Sequence, residues 1–350
     1  MPELFYGVLT TVQLPTDAVR RLVSRLRENN AELIVVGDKK GPAAYDLTGT
    51  DYFSLTDQLE LDFEIARKLP VGHYARKNIG YLMAASRGAS SIYETDDDNA
   101  PLPNWTSRPE MIEAVPVTGD GWINVYRFFS DENIWPRGFP LEALRDSFRR
   151  PELSAGLTAC RAPIQQGLAN NSPDVDAIWR LVLDRPFDFE EGKSVYLSPG
   201  SWCPFNSQST WWFPVAYPLM YLPSYCSFRM TDIWRSFVAQ RCLWELDCGI
   251  AFHGPEVVQD RNEHNLLRDF SDEVPGYLGN RKLAQTLGAL TLAKGVDALA
   301  DNLNTCYEAL VMAGFFPVEE LELLTAWTKD LKQATREKPA ASDPLLMNAN

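Results

Sequence analysis

Asp96, Asp97 and Asp98 follow one another at the end of a short β-type run, Ser90-Ser91-Ile92-Tyr93-Glu94-Thr95, with Asn99 directly after them. Adjacent carboxylates repel one another, so three of them closing a buried strand point to a cation at that place. Hard divalent ions such as Mg2+ and Mn2+ prefer carboxylate oxygens and keep positions open for substrate phosphates. In an extended segment side chains alternate. Asp96 and Asp98 would then share one side as ligands for one Mn2+ or Mg2+, with Asp97 turned toward a sugar or a basic neighbour. The residues predict a metal-dependent enzyme acting on a nucleotide diphosphate, most of all a nucleotide-sugar. The plainer alternative is a solvated acidic turn capped by Asn99.

The surrounding elements must place that cluster. Leu4 to Leu9 reads as a buried first strand ending at Thr10-Thr11, and Asp17 to Asn29 as an amphipathic helix with apolar residues at 19, 22, 23 and 26. Glu32 to Val36 reads as a second buried strand, stopped by Gly37-Asp38-Lys39-Lys40-Gly41-Pro42. Strand, helix and strand open a parallel α/β sheet, and ligands gather at the carboxyl ends of such strands. Thr10, Thr11, Asp38 and Asp96–Asp98 all fall at predicted strand ends. Tyr74 to Arg87 reads as a helix, the Pro- and Trp-rich stretch after Asn99 as an ordered loop or lid, and Trp122 to Phe129 as a strand. Ser194 to Leu197 reads as a further strand, and Thr231-Asp232 as the N-cap of a helix from about 233 to 246. Helical periodicity runs from 281 to 313 and from 318 to 333, and the tail after Lys338 reads as frayed.

Composition limits the function further. The chain's 350 residues fit two domains or one large α/β domain with additions, and an apolar fraction of 45% supports a sizeable core. Its 33 basic and 47 acidic residues leave a net charge of −14, which argues against phosphate-backbone binding to nucleic acid. Cys160, Cys203, Cys226, Cys242, Cys248 and Cys306 show no CxxC pair and no zinc spacing, as expected of free thiols in a reducing compartment. No stretch reaches the roughly 20 apolar residues of a membrane span, so a soluble, cytoplasmic protein is expected, with room for peripheral association with a membrane-bound acceptor.

Several segments, taken in series, resemble the STELLO-type glycosyltransferase-like family. They are His73 to Leu82, Gly88-Ala89 leading to the acidic cluster, Trp135-Pro136-Arg137-Gly138, Ile164 to Leu168, Pro173 to Ile178, Pro204 to Gln208, Phe228 to Ile233 and Ala239-Gln240-Arg241. They keep the family's order over about residues 1–285. The family is similar to GT-A glycosyltransferases and, more distantly, to the reversibly glycosylated polypeptides, which interconvert UDP-arabinose ring forms. The resemblance implies a GT-A-like, Rossmann-type mixed α/β sheet flanked by helices, and use of a nucleotide-sugar. The membrane anchor of plant STELLO proteins has no counterpart in these residues, so a Golgi role is not carried over.

Within that frame Asp96 and Asp98, with Glu94 in reserve, carry the DxD-type metal site, and a late histidine completes it. His253 and His264 compete for that place, and His264 is favoured by its polar loop, whereas His73 reads as structural. Thr10, Thr11 and Asp38 would line the base and ribose pocket, with ordinary turn chemistry as the alternative. Arg76, Lys77 and Asn78 open a helix near the expected pyrophosphate. Basic residues are unfavourable beside a helix's positive end, which calls for an anionic partner. Asp232 is the candidate catalytic carboxylate, as base toward an acceptor hydroxyl in an inverting enzyme. In a retaining one it would orient the acceptor or stabilise an oxocarbenium-like sugar, with a plain N-cap as the alternative, and Arg229 would steady phosphate or Asp232. Asn206 and Gln208 would bind acceptor hydroxyls beside Trp202, Trp211 and Trp212, which are otherwise core material.

The expected organisation is a catalytic domain over 1–280, with a donor half to about 130 and an acceptor half from 131. A helical region over 281–337, which offers a dimer surface, and a flexible tail over 338–350 follow. The expected activity is metal-dependent transfer from a UDP-sugar to a glycan or lipid-linked acceptor. A nucleotide-sugar mutase and a catalytically silent scaffold are the alternatives.

Overall fold

A computed structural model describes residues 4–336, except 120, 150–152, 154–155 and 262–264. The chain opens with β1 (Phe5–Thr11), α1 (Asp17–Glu28), β2 (Glu32–Gly37), β3 (Thr50–Phe53), α2 (Leu55–Glu60), α3 (Glu64–Lys68), α4 (Lys77–Ser86) and β4 (Ser91–Thr95). Next come β5 (Asn99–Pro101), β6 (Met111–Val117), β7 (Gly121–Trp122), α5 (Leu144–Ser147), β8 (Thr158–Arg161), β9 (Ile164–Asn170) and α6 (Ala177–Leu183). Then follow β10 (Val195–Leu197), β11 (Ser201–Trp202), β12 (Ser209–Trp212), α7 (Thr231–Trp244) and β13 (Ile250–Gln259). The helices α8 (Leu266–Gly288), α9 (Leu299–Met312) and α10 (Glu319–Ala334) close the described chain.

One sheet organises these elements, in the order β3-β2-β1-β4-β12-β9-β13-β10-β6-β8, with β5 paired to the far end of β13. β1 to β4 run parallel, β12 enters antiparallel between β4 and β9, and β9 and β13 are parallel again. The result is the mixed α/β sheet flanked by helices, with a helical C-terminal region, that the sequence predicts. β7 and β11 form a separate two-stranded ribbon.

The first strands are apolar throughout because helices cover both faces. Phe5 and Leu9 of β1 and Leu33 and Val35 of β2 share a core with Val19, Leu22, Val23 and Leu26 of α1. Tyr6, Val8 and Ile34, pointing the other way, pack with Ile79 and Leu82 of α4. Thr16 starts α1 by accepting the Val19 N–H at 3.1 Å. Gly80 lets α4 lie close on the sheet, since a Cβ there would stand 2.5 Å from Val8 Cγ1 and 3.0 Å from Val36 Cγ2.

A buried ionic network sits where α4, β4, β12 and α7 meet. Glu94 is fully buried and takes Arg235 Nη1 at 2.9 Å, Trp212 Nε1 at 2.8 Å and the Tyr81 hydroxyl. Lys77, equally buried, stands 3.9 Å from Glu94 and 2.8 Å from Asp96. Burial alone would push the Glu94 carboxyl up, but Arg235 and then Lys77 outweigh it and hold the group below the usual carboxylate range. Arg235 also donates to the Ser207 hydroxyl at 3.0 Å and lies over the Trp212 ring.

Several sequence expectations change. Trp122 to Phe129 is a two-residue strand followed by a 3-10 turn, because the Asn124 side chain accepts the Tyr126 N–H and pulls the backbone round. The periodic stretch 281–313 is two helices, α8 and α9, separated by a connection in which Gly295 adopts φ +97°. α7 begins at Thr231 with Met230 as its cap, so Thr231-Asp232 is the first turn and not the N-cap. α8 runs unbroken through residues 280 and 281, and Asp330 of α10 accepts the Ile65 N–H of α3 at 2.7 Å. The expected boundary at 280/281 falls inside α8, and the tail over 338–350 lies outside the described residues.

Gly80→Ala is expected to lower unfolding free energy in urea by about 1–3 kcal/mol, because a β-branched strand residue must give way. Gly288→Ala, with nothing within 4 Å of its Cβ, should be neutral or stabilising by up to about 1 kcal/mol in the same assay. Glu94→Gln leaves the buried Arg235 without its close counter-charge, while Lys77 keeps Asp96, and should cost about 3–5 kcal/mol. Adding Arg235→Met should restore part of that loss.

Candidate functional site

A cleft of about 440 Å³ opens at the carboxyl ends of β1, β2 and β4, lined among others by Thr10, Thr11, Asp38, His73 and all three residues of the acidic cluster. The Thr10 hydroxyl donates to the Val36 carbonyl at 2.9 Å, and the Thr11 hydroxyl donates to the Asp97 carboxylate. Asp38 accepts backbone N–H groups from Lys39 at 2.6 Å, Gly72 at 2.8 Å and His73 at 2.9 Å. It thereby ties the loop after β2 to the turn before α4. His73 accepts the Ala75 N–H through Nδ1, and burial lowers its pKa.

The acidic cluster is a tight turn between β4 and β5, closed by the Asn99 N–H on the Asp96 carbonyl at 3.4 Å. This corrects the extended geometry expected of it, so side-chain alternation is not what brings Asp96 and Asp98 into one cleft. Asp96 accepts the Tyr74 hydroxyl at 2.6 Å and Lys77 Nζ at 2.8 Å. Asp98 accepts Gln259 Nε2 at 3.0 Å and Asn99 Nδ2 at 3.2 Å. Burial first, and the neighbouring Asp96 charge second, push the Asp98 carboxyl up to about 7 against the Gln259 hydrogen bond. Asp97 is also raised, by burial and then Asp96, against the Thr11 hydroxyl. Crowded carboxylates that raise one another fit a cation site, and their oxygens suit a hard ion. Among the described residues no group of three or more His, Cys, Asp or Glu side chains closes around a metal. Asp96 and Asp98 could therefore hold an ion only in the open manner that leaves positions for a substrate.

A second wall of the cleft is cationic, with Arg137, Arg180, Arg229 and Arg261 lining it. Arg137 is the best compensated of them. Its Nε reaches Asp174 at 2.7 Å, and its two terminal nitrogens reach the two oxygens of Asp232 at 3.1 and 3.0 Å. Asp174 would be raised by burial, but Arg137 beside it, with Arg229 and Arg180 beyond, holds it below its usual range. Arg229 pairs with the buried Glu273 at 2.8 Å, and Arg261 with Asp269 at 2.7 Å.

The residues singled out from the sequence divide sharply. Thr10, Thr11, Asp38, Asp96, Asp97, Asp98, Gln208, Arg229 and Asp232 line the cleft. Lys77 stands one layer behind it, on Asp96. Arg76 is a correction: it is fully buried, bonding Gln58 Oε1 and the carbonyls of Ala66 and Leu69, with no face on the cleft. Asn78 is another, since its amide holds both backbone groups of Leu222 at 2.9 Å. Asn206 likewise serves the interior, accepting Gln166 Nε2 and the Gln208 N–H. Trp202, Trp211 and Trp212 are buried core residues.

Asp232 has both oxygens in the Arg137 fork and also takes the Ile233 and Ser207 N–H groups. That is the setting of a buried ion pair. His253 is buried away from the cleft between Ser194 and Gln165, and His264 lies outside the described residues. Sequence reasoning missed Arg137, Asp174, Arg180, Gln259 and Arg261. Arg137 and Asp174 sit in segments that carry the family resemblance and could have been found there. Arg180 and Arg261 have no local signal, because only the tertiary fold brings them together.

The family model described as STELLO glycosyltransferases matches residues 229–343. The chain is 27% identical to the probable glycosyltransferase STELLO2 of Arabidopsis thaliana over 352 residues, and 26% identical to STELLO1 of the same plant over 354. Each alignment covers 95% of this chain and 45% of the relative, so the chain spans about half the length of the curated relatives it matches. A mycobacterial protein of known crystal structure aligns with a TM-score of 0.41 and 11% identity, covering 81% of this chain and 74% of that one. The family match over the last third of the chain and both plant relatives make this chain similar to the STELLO glycosyltransferases.

Proposed function

We propose that this chain is a GT-A-type glycosyltransferase that takes a nucleotide-diphospho-sugar, a UDP-sugar by preference, into the cleft and passes the sugar to a glycan or lipid-linked acceptor. The observation that carries the reading is the turn of three mutually repelling carboxylates at the carboxyl edge of parallel strands, opening into a cleft of about 440 Å³. The names of the plant relatives support the same reaction class.

Asp96 and Asp98 would hold Mn2+ or Mg2+. A divalent ion bound there would supply Lewis-acid stabilisation of the departing diphosphate. The chain's own groups do the rest. Lys77 and Tyr74 fix Asp96, and Gln259 fixes Asp98, which presents one oxygen-rich edge to the cleft. Thr10 and Thr11 border the space for the base, while Asp38 shapes it by holding the loops at Lys39 and Gly72. Gln208 reaches the acceptor side of the same space. Asp232 acts as a positioning residue through Arg137, and Arg229 stands beside them.

Calorimetric titration of UDP is expected to show binding that Mn2+ strengthens, with that Mn2+-dependent gain lost in Asp96→Ala/Asp98→Ala. UDP binding of equal strength without Mn2+ would remove the metal from the reading, and no UDP binding by folded protein would remove the donor. Gln259→Leu should weaken Mn2+ binding by about 10–100-fold, read by Mn2+ titration of the apoprotein. With a UDP-sugar, free UDP should accumulate only when an acceptor is present. Conversion of the donor without acceptor would instead mark a mutase.

A further inference from the structure

Of the four arginines on the cationic wall, Arg180 is the one with no carboxylate at ion-pair distance among the described residues, Asp174 and Glu273 acting on it from further off. It is 8% exposed, and its guanidinium donates to the Ser172 hydroxyl at 3.3 Å and the Pro173 carbonyl at 2.6 Å. Its Nε is buried and has no partner among the described residues, and neither has Oδ2 of the adjacent Asp174. Burial and then the charge of Arg261 lower its pKa to about 10, and Arg261 is lowered in turn by burial and by Arg229. Three guanidiniums thus stand close enough to repel, in a chain whose net charge is −14. A buried cation compensated only in part, and from a distance, is costly to the fold. A polyanion with several acceptor oxygens relieves that cost, and the guanidinium fork matches phosphate geometry.

We propose that Arg180, with Arg229 and Arg261, forms a phosphoryl-binding subsite in the wall of the cleft beside the carboxylate turn, one that works without a metal ion. The phosphoryl group belongs either to the donor's diphosphate or to a phosphorylated acceptor, and that choice of source rests on the glycosyltransferase reading. The subsite itself is independent of the turn, because none of its guanidiniums bonds Asp96, Asp97 or Asp98 among the described residues.

Inorganic pyrophosphate titrated into the full chain in EDTA tests it. Binding is expected in the native protein, weakened at least about tenfold in Arg180→Gln and largely retained in Arg180→Lys, with thermal unfolding confirming that each variant is folded. If Arg180→Gln does not fold, Arg261→Gln is read in its place. No pyrophosphate binding without metal, or equal binding by the folded Gln variant, overturns the subsite. A hexose phosphate titrated at saturating UDP and Mn2+ then separates the sources. Arg180-dependent binding assigns the subsite to an acceptor phosphate, and exclusion by UDP assigns it to the donor diphosphate. Pyrophosphate binding through Arg180 in a protein that ignores UDP keeps the subsite and sinks the UDP reading alone.

Discussion

A single carboxylate without access to water, Glu94, is the constraint around which the interior is arranged. A buried charge survives only with its counter-charges fixed in place, and Arg235, Lys77, Tyr81 and Trp212 come from three different elements to provide that. Two of these partners also lead outward to the cleft. Lys77 bonds Asp96 as well as facing Glu94, so the first residue of the acidic turn is referenced to the core. Arg235 lies on α7, one turn after Asp232, whose carboxylate holds Arg137 in the opposite ion-pair cluster. Both charged walls of the cleft are therefore located by the same buried group.

The cleft is organised by sign. One side gathers carboxylates with Lys77 as their cationic contact, and the other gathers four guanidiniums around Asp174 and Asp232, with Arg180 alone lacking an ion pair within reach among the described residues. The acidic balance of the whole chain conceals this, since bulk charge speaks to solubility and to broad partners and says little of a local field. An acidic protein can build a locally basic wall, here one in which Glu273 and Asp269, paired with Arg229 and Arg261, do not line the cleft.

Much of the first half was legible because its signals are local. The apolar runs of β1 and β2, the spacing of Val19, Leu22, Val23 and Leu26, and the triple Asp after β4 are each read within a dozen residues. The antiparallel insertion of β12 between β4 and β9 was not legible, since Ser209–Trp212 is only four residues long and its partners are far away in sequence. Among site residues the errors share one cause. Arg76, Asn78 and Asn206 have the polarity of ligands, but each answers a buried backbone or amide group that the sequence does not display. Arg180 and Arg261 fail in the reverse direction, as ordinary-looking arginines that the fold turns onto one surface.

The acidic turn is stitched at both of its ends. β4 holds its entry within the parallel strands, and its exit, β5, is laddered to β13, with Asp98 gripping Gln259 through its side chain and Asp260 through its carbonyl. A segment held in this way has little conformational freedom to lose when something arrives. Association at this side of the cleft therefore proceeds with little entropic penalty from ordering the chain. Discrimination then follows from how well an incoming molecule matches a template fixed in advance.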